Sequence, residues 1–154
     1  MALNIVLFEP EIPQNTGNIA RTCACTGARL HLVEPMGFRL SSKQLGRAGM
    51  DYWDKVDITR WSCTGEFLEA HGQDDLHFFT GQTDRFYTDE EYGEECFLVF
   101  GRESRGIDPE ILQANAGRCV RIPMGGGMRS LNLSNSVAIA AYEVLRRQGF
   151  PDLV

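Results

Sequence analysis

No apolar run in these 154 residues approaches the roughly 18 that a membrane-crossing helix needs. Nor does the start carry the basic region of a secretory signal, since MALNIVLFEP passes directly into a strand-like run. The five cysteines, Cys23, Cys25, Cys63, Cys96 and Cys119, include no C-x-x-C pair. They fit reduced, buried thiols and a cytoplasmic location better than disulfides or zinc. The C-x-C of Cys23 and Cys25 reads as helix packing. Histidine is scarce: His31 and His77 fall within strand-like runs and His71 near a helix end, so neither a serine–histidine site nor a metal site is supported. Two familiar nucleotide motifs are also missing, the GxxxxGK(S/T) loop and a GxGxxG with an acid about 20 residues on. With no repeat, linker or low-complexity segment, residues 1–154 are expected to form one domain that buries about 70% of its unfolded surface.

Positive charge is in short supply too, with a formal net charge of −6. The deficit is local. Asp84 to Glu95 holds six acids against Arg85, a sum of −5, and leaves −1 for everything else. That segment is expected to be a solvated loop. Arg21, Arg39, Lys43, Arg47, Arg102, Arg105 and Arg129 fall in or beside the other loops, so a local basic surface is compatible with the acidic total.

What is present is an alternation of strands and helices. Leu3 to Phe8, Leu30 to Val33, Val56 to Thr59, Leu76 to Thr80, Cys96 to Phe100 and Cys119 to Ile122 read as strands. Their continuous apolar character fits strands buried on both faces. Helices are expected after Asn15 and Thr16 as cappers, with Gly27 closing; over Ser42 to Met50; from Thr64 to Ala70; and after Asp108-Pro109. The longest begins among Ser130, Asn132, Ser134 and Asn135. It carries Val137, Ala140, Ala141, Val144 and Leu145 on one stripe and stops at Gly149 and Pro151. This pattern predicts an α/β fold with a mainly parallel sheet flanked by helices. Ligands in such folds bind at the carboxyl ends of the strands. Three unusual segments sit there: NTGN, GRESRG and MGGGMRSLN. Glycine allows close backbone approach to a ligand, and valine at Gly101 or Gly126 is expected to fill space the ligand needs.

In this order and spacing, NTGNIARTC, LVFGRESRGI and RIPM…RSLNLSNSVAIAAYE resemble the three motifs of the SPOUT superfamily of RNA methyltransferases. The short chain, with IVLFEPEIPQNTGNIAR and HLVEPMGF, is similar to the TrmL type across nearly its whole length. That resemblance implies a C-terminal deep trefoil knot, a homodimer, no metal, and S-adenosylmethionine as cofactor. Phe79, Thr80, Gly101, Glu103, Gly106, Ile122, Met124, Gly125, Ser130 and Leu131 would hold the cofactor. Arg21 matches the family's catalytic arginine, with Ser130 or Asn132 orienting the substrate hydroxyl. Asn15, Asn18, Arg21, Arg39, Lys43, Arg47, Arg102 and Arg129 would contact RNA. The implied reaction is 2′-O-methylation of the tRNA wobble nucleotide, a cytidine or modified uridine at position 34 of leucine isoacceptors. Arg102 stands where the family commonly has proline, and GGGM replaces a more varied segment. The alternatives are another tRNA site or ribosomal RNA, and a non-catalytic phosphate- or nucleotide-binding module that uses helix termini as anion sites.

Overall fold

The computed structural model describes residues 2–39 and 52–154. Strand β1 spans Ala2–Phe8, β2 Arg29–Val33, β3 Ile58–Trp61, β4 Leu76–Phe79, β5 Glu95–Phe100 and β6 Cys119–Val120. All pair in parallel in the order β3-β2-β1-β5-β4-β6. The helices are α1 (Pro13–Thr26), α2 (Thr64–His71), α3 (Pro109–Ala114) and α4 (Leu133–Arg147). The expected helix over Ser42 to Met50 lies outside the described residues, as do Lys43 and Arg47.

Side chains of a strand alternate between faces, and both faces here are covered. Leu3, Ile5 and Leu7 pack with Ile19, Ala20 and Cys23 of α1 and with Val137, Ala140, Ala141 and Val144 of α4. Val6 and Phe8 pack on the other side with Phe67 of α2 and Leu112 of α3. The apolar runs are continuous for that reason. Phe67 is wholly buried and meets the Phe8 ring edge-on at 5.7 Å; truncating such a ring costs about 3–5 kcal/mol.

One polar chain crosses the second core. Asn4 donates to the carbonyl of Cys96 at 3.3 Å and faces His31 Nε2 through Oδ1 at 3.0 Å. Trp61 Nε1 donates to His31 Nδ1 at 3.1 Å. The imidazole therefore accepts at Nδ1 and donates at Nε2 as a neutral ring. Burial, with His71 beside it, lowers its pKa to about 4.

Several boundaries differ from the expected ones. Strand β3 starts at Ile58 rather than Val56, because a 3-10 turn over Trp53–Lys55 uses the preceding residues. Strand β6 ends at Val120 because Arg121 turns to other partners: its N–H donates to Arg85 and its carbonyl accepts from Tyr87. Helix α1 begins at Pro13, so Asn15 and Thr16 are buried inside it and are not its caps. Helix α4 is capped by Asn132 alone, with Ser134 and Asn135 inside it. Cys23, Cys96 and Cys119 are buried free thiols, whereas Cys25 and Cys63 are exposed; burial pushes the Cys23 and Cys96 thiols up to about 12.

The acidic segment is not simply solvated. Arg85 pairs with Glu90 at 2.8 Å, and the Glu90 side chain is only 11% exposed. The Arg147 guanidinium donates to the carbonyls of Thr88 and Glu90, and Gln148 to that of Gly93. Tyr87 and Tyr92 pack on the first core, so this segment does a crossover helix's work between β4 and β5.

Candidate active site

Strand β5 runs into Gly101, where a Cβ would stand 2.1 Å from the Gly106 carbonyl carbon. The residues between form a closed turn. Arg102 N donates to Gly106 O at 3.2 Å, Gly106 N donates to Arg102 O at 2.8 Å, and Gly106 has φ +69°. Glycine is required at both positions, but at Gly101 it admits the chain's own backbone rather than a ligand. The expected reason for Gly101 is corrected accordingly. A Cβ at Gly126 would meet no protein atom within 4 Å, so packing against the chain itself does not demand that glycine.

The turn aims Glu103 at the start of α1. Its Oε1 accepts from Glu11 N at 2.9 Å; its Oε2 accepts from Ile12 N at 2.7 Å and Asn15 Nδ2 at 3.2 Å. Ile12 is the N-cap of α1 and has no side-chain acceptor of its own. Glu103 thus takes the N-cap N–H, as the glutamate of a capping box does, from a distant part of the chain. Its negative charge also suits a helix N-terminus. Glu11 returns the contact, accepting from Ser104 N at 2.9 Å and Ser104 Oγ at 2.8 Å. Those bonds, the backbone one foremost, hold its carboxyl below the usual range.

The relay continues into the third loop. Asn15 Oδ1 accepts from Asn132 Nδ2 at 3.1 Å, and Asn132 Oδ1 caps α4 by accepting from Asn135 N at 3.2 Å and Ser134 Oγ at 2.6 Å. NTGN, GRESRG and MGGGMRSLN are therefore stitched together through Glu103, Asn15 and Asn132.

Between them lies a cleft of about 520 Å³ at the carboxyl ends of β4, β5 and β6. Phe79, Thr80, Gly101, Glu103, Gly106, Ile122, Met124, Ser130 and Leu131 line it, as do Asn15, Arg102, Arg129 and Asn132. Gly125 does not, and neither do Asn18 and Arg21. Both of these lie exposed on α1, where the Arg21 guanidinium stacks 5.0 Å from the Tyr52 ring centre. At 1.5 Å per residue Arg21 stands about 9 Å along α1 from Asn15, so the cleft of its own chain does not include it. Arg102, placed among RNA contacts by its sequence position, is held instead by Glu9 at 3.4 Å and Asp108 at 2.5 Å. It clamps the end of β1 to the start of α3. Arg39 lies in a separate cleft.

Sequence reasoning missed Gln82, Phe100, Arg121 and Ser136 as lining residues. The first three follow or end a strand at its carboxyl end, and that position alone is the signal that would have found them. The lining includes four arginines, Arg102, Arg105, Arg121 and Arg129, against one acid, Glu103. Arg105, Arg121 and Arg129 make no ion pair among the described residues. A locally basic mouth thus exists on a chain of net charge −6.

A protein of Escherichia coli (strain K12) named tRNA (cytidine(34)-2′-O)-methyltransferase is 46% identical to this chain over 153 residues, covering 99% of this chain and 98% of the relative. A solved structure described as giving insight into 2-OH methylation of C/U34 on tRNA is 43% identical, with a TM-score of 0.89 over 96% of this chain and 97% of that one. The AdoMet-bound rRNA methyltransferase of Sinorhizobium meliloti is 27% identical, with a TM-score of 0.84 over 95% of this chain and 56% of that one. The profile of the SpoU rRNA Methylase family matches residues 2–142.

Proposed function

The chain belongs to the SpoU rRNA Methylase family, and from that premise we propose that it methylates the ribose 2′-hydroxyl of the wobble nucleotide of tRNA. The base at position 34 is a cytidine or a modified uridine, the tRNAs are leucine isoacceptors, and the methyl donor is S-adenosylmethionine. The observation that carries the reading is the cleft in which all three motif loops meet, on a chain 46% identical throughout its length to a tRNA (cytidine(34)-2′-O)-methyltransferase.

The cleft suits the donor. Its volume of about 520 Å³ lies within the range of small-molecule sites. Phe79, Phe100, Ile122, Met124 and Leu131 offer apolar walls, and the closed turn after Gly101 presents backbone where side chains would otherwise stand. When bound there, S-adenosylmethionine supplies an electrophilic sulfonium methyl group. The protein's own contribution is placement and charge. Ser130 presents a hydroxyl at the rim, while Asn132 keeps one amide hydrogen free after its bond to Asn15. Either can fix the direction of the ribose hydroxyl. Arg105 and Arg129, both exposed, hold phosphate at the mouth. Holding the reactants in line can itself supply roughly 7–11 kcal/mol.

Arg21 is assigned the adjacent phosphate and the developing alkoxide charge, since a guanidinium does not deprotonate in proteins and is a poor base. It lies off the cleft of its own chain, so the assignment calls for a second copy. Two features support a homodimer: Ile139 and Tyr142 stand 40% and 46% exposed on α4, and Arg21 faces outward on α1, which packs beside α4. The family's trefoil knot belongs to the same proposal. Its support is that the chain leaves β6 at the sheet edge and returns to pack α4 on β1 and β5. Among the described residues no helix is long and apolar enough to cross a membrane, and the proposed place of action is the cytoplasm. Mass spectrometry of wobble nucleotides should show loss of ribose methylation in cells without this chain. Unchanged methylation at position 34 would overturn the reading.

A further inference from the structure

A second cleft, of about 660 Å³, opens among Glu34, Met36, Phe38, Arg39, Arg60 and Ser62. It stands beyond the carboxyl ends of β2 and β3, on the same edge of the parallel sheet as the first cleft. From the middle of β2–β3 to the middle of β5–β4 is three strand spacings, about 14 Å at 4.7–4.9 Å each.

One loop separates the two. Gly37 N donates to Pro10 O at 2.9 Å, and a Cβ on Gly37 would lie 2.9 Å from the Glu11 Cα. The wall of the second cleft is thus pressed against the residue whose carboxylate holds Ser104 on the rim of the first. Ile12, 43% exposed, lies next along the same ridge.

The lining has what a nucleotide needs. Half-buried Phe38 and Met36 give an apolar surface on which a base can stack. Arg39 and Arg60 offer charge to a phosphate. Arg60 is fixed by Glu34 at 2.6 Å while its side chain stays 55% exposed, and the remaining Glu34 oxygen can accept from a base amino group. A spacing of about 14 Å is some four nucleotides at a stacked rise of 3.4 Å, and fewer in an extended strand.

We propose that this cleft is a subsite for a second nucleotide of the same RNA strand, two to four residues from the one methylated, with preference for a base bearing an amino group. The inference rests on the RNA reading above. To test it, anticodon stem-loop RNAs carrying 5-iodocytidine, which keeps an exocyclic amino group, at one position at a time are irradiated with the full chain, and the crosslinked peptide is identified. Crosslinking to Phe38 or Met36 from a position two to four nucleotides away is expected. Phe38→Ala, Phe38→Leu and Arg60→Gln are then compared with the native chain. Phe38→Ala should raise KM for RNA about 5- to 100-fold, Phe38→Leu less, with kcat and S-adenosylmethionine affinity by calorimetry little changed. Wild-type protein that binds and methylates the RNA yet crosslinks only elsewhere, with KM unmoved in all three variants, would remove the subsite and leave the methyltransferase reading intact. Wild-type protein that binds no RNA would overturn that reading, and the subsite with it.

Discussion

Replacing Glu103 with alanine would cut the relay at its origin. The side chain accepts from Glu11 N, Ile12 N and Asn15 Nδ2 at 2.9, 2.7 and 3.2 Å. A lost helix cap costs about 0.5–2 kcal/mol, and a lost anion at a helix N-terminus a further 0.3–1 kcal/mol or so. Because Glu103 is partly exposed, water can take over some of these bonds, which keeps the total near 1–3 kcal/mol. For a chain of this length that lowers Tm by roughly 3–10 °C. The larger consequence is positional. Asn15 loses one of its anchors and Asn132 the partner that fixes its amide, so S-adenosylmethionine affinity should fall together with Tm. Glu103→Gln keeps one acceptor oxygen and should lie between alanine and wild type in both measurements. Thermal melts with calorimetric titration of S-adenosylmethionine decide the matter. Alanine variants with native Tm and native affinity would reduce Glu103 to a surface residue. Native Tm and affinity with no methylation would make it a group of the reaction itself and refute the capping argument.

Three further outcomes are expected. Gly101→Ala should lose cofactor binding or fail to fold, since its Cβ would meet Gly106 backbone at 2.1 Å, whereas Gly126→Ala should keep both properties; equal behaviour of the two in a binding titration would contradict the packing. His31 has its folded pKa lowered from 6.5 to about 4, so its stabilisation is whole above pH 6.5 and is lost as pH falls toward 4. That amounts to about 3 kcal/mol, and denaturant melts should lose this acid slope in His31→Gln. Arg21→Ala and Arg21→Lys should both bind S-adenosylmethionine normally, with alanine nearly inactive and lysine retaining some turnover; near-native methylation by alanine would dismiss the assigned role.

The strands were legible because a parallel sheet covered on both faces needs near-continuous apolar runs, and CFLVF, or LNIVLF with Asn4 as its one polar residue, can hardly read otherwise. The three loops were legible as one site because strand carboxyl ends converge. What the sequence hid was the partner of each polar group. Nothing near Ile12 announces that its N–H is taken by Glu103, 91 residues away, so Asn15 passed for a cap when it is the middle of a relay. Gly101 and Gly126 look alike in one dimension, yet one is pinned by backbone and the other faces open space. Arg102 read as a free cation because Glu9 and Asp108 come to it only through folding. The acids from Asp84 to Glu95 read as solvated because Arg147, which grips that segment, lies more than fifty residues on.

Helix α4 is fastened at both ends to parts of the chain made much earlier. Asn132 joins Asn15 at its start, 117 residues back, and Arg147 joins Glu90 and Thr88 at its finish, 57 and 59 residues back. Both fastenings wait on the last helix to be synthesised. During synthesis, β1 to β5 can therefore assemble while the acidic segment still lacks its clasp and the cleft still lacks one wall. A nascent chain short of α4 would have a sheet without a binding site. The cleft therefore gains its third wall only when the last helix docks.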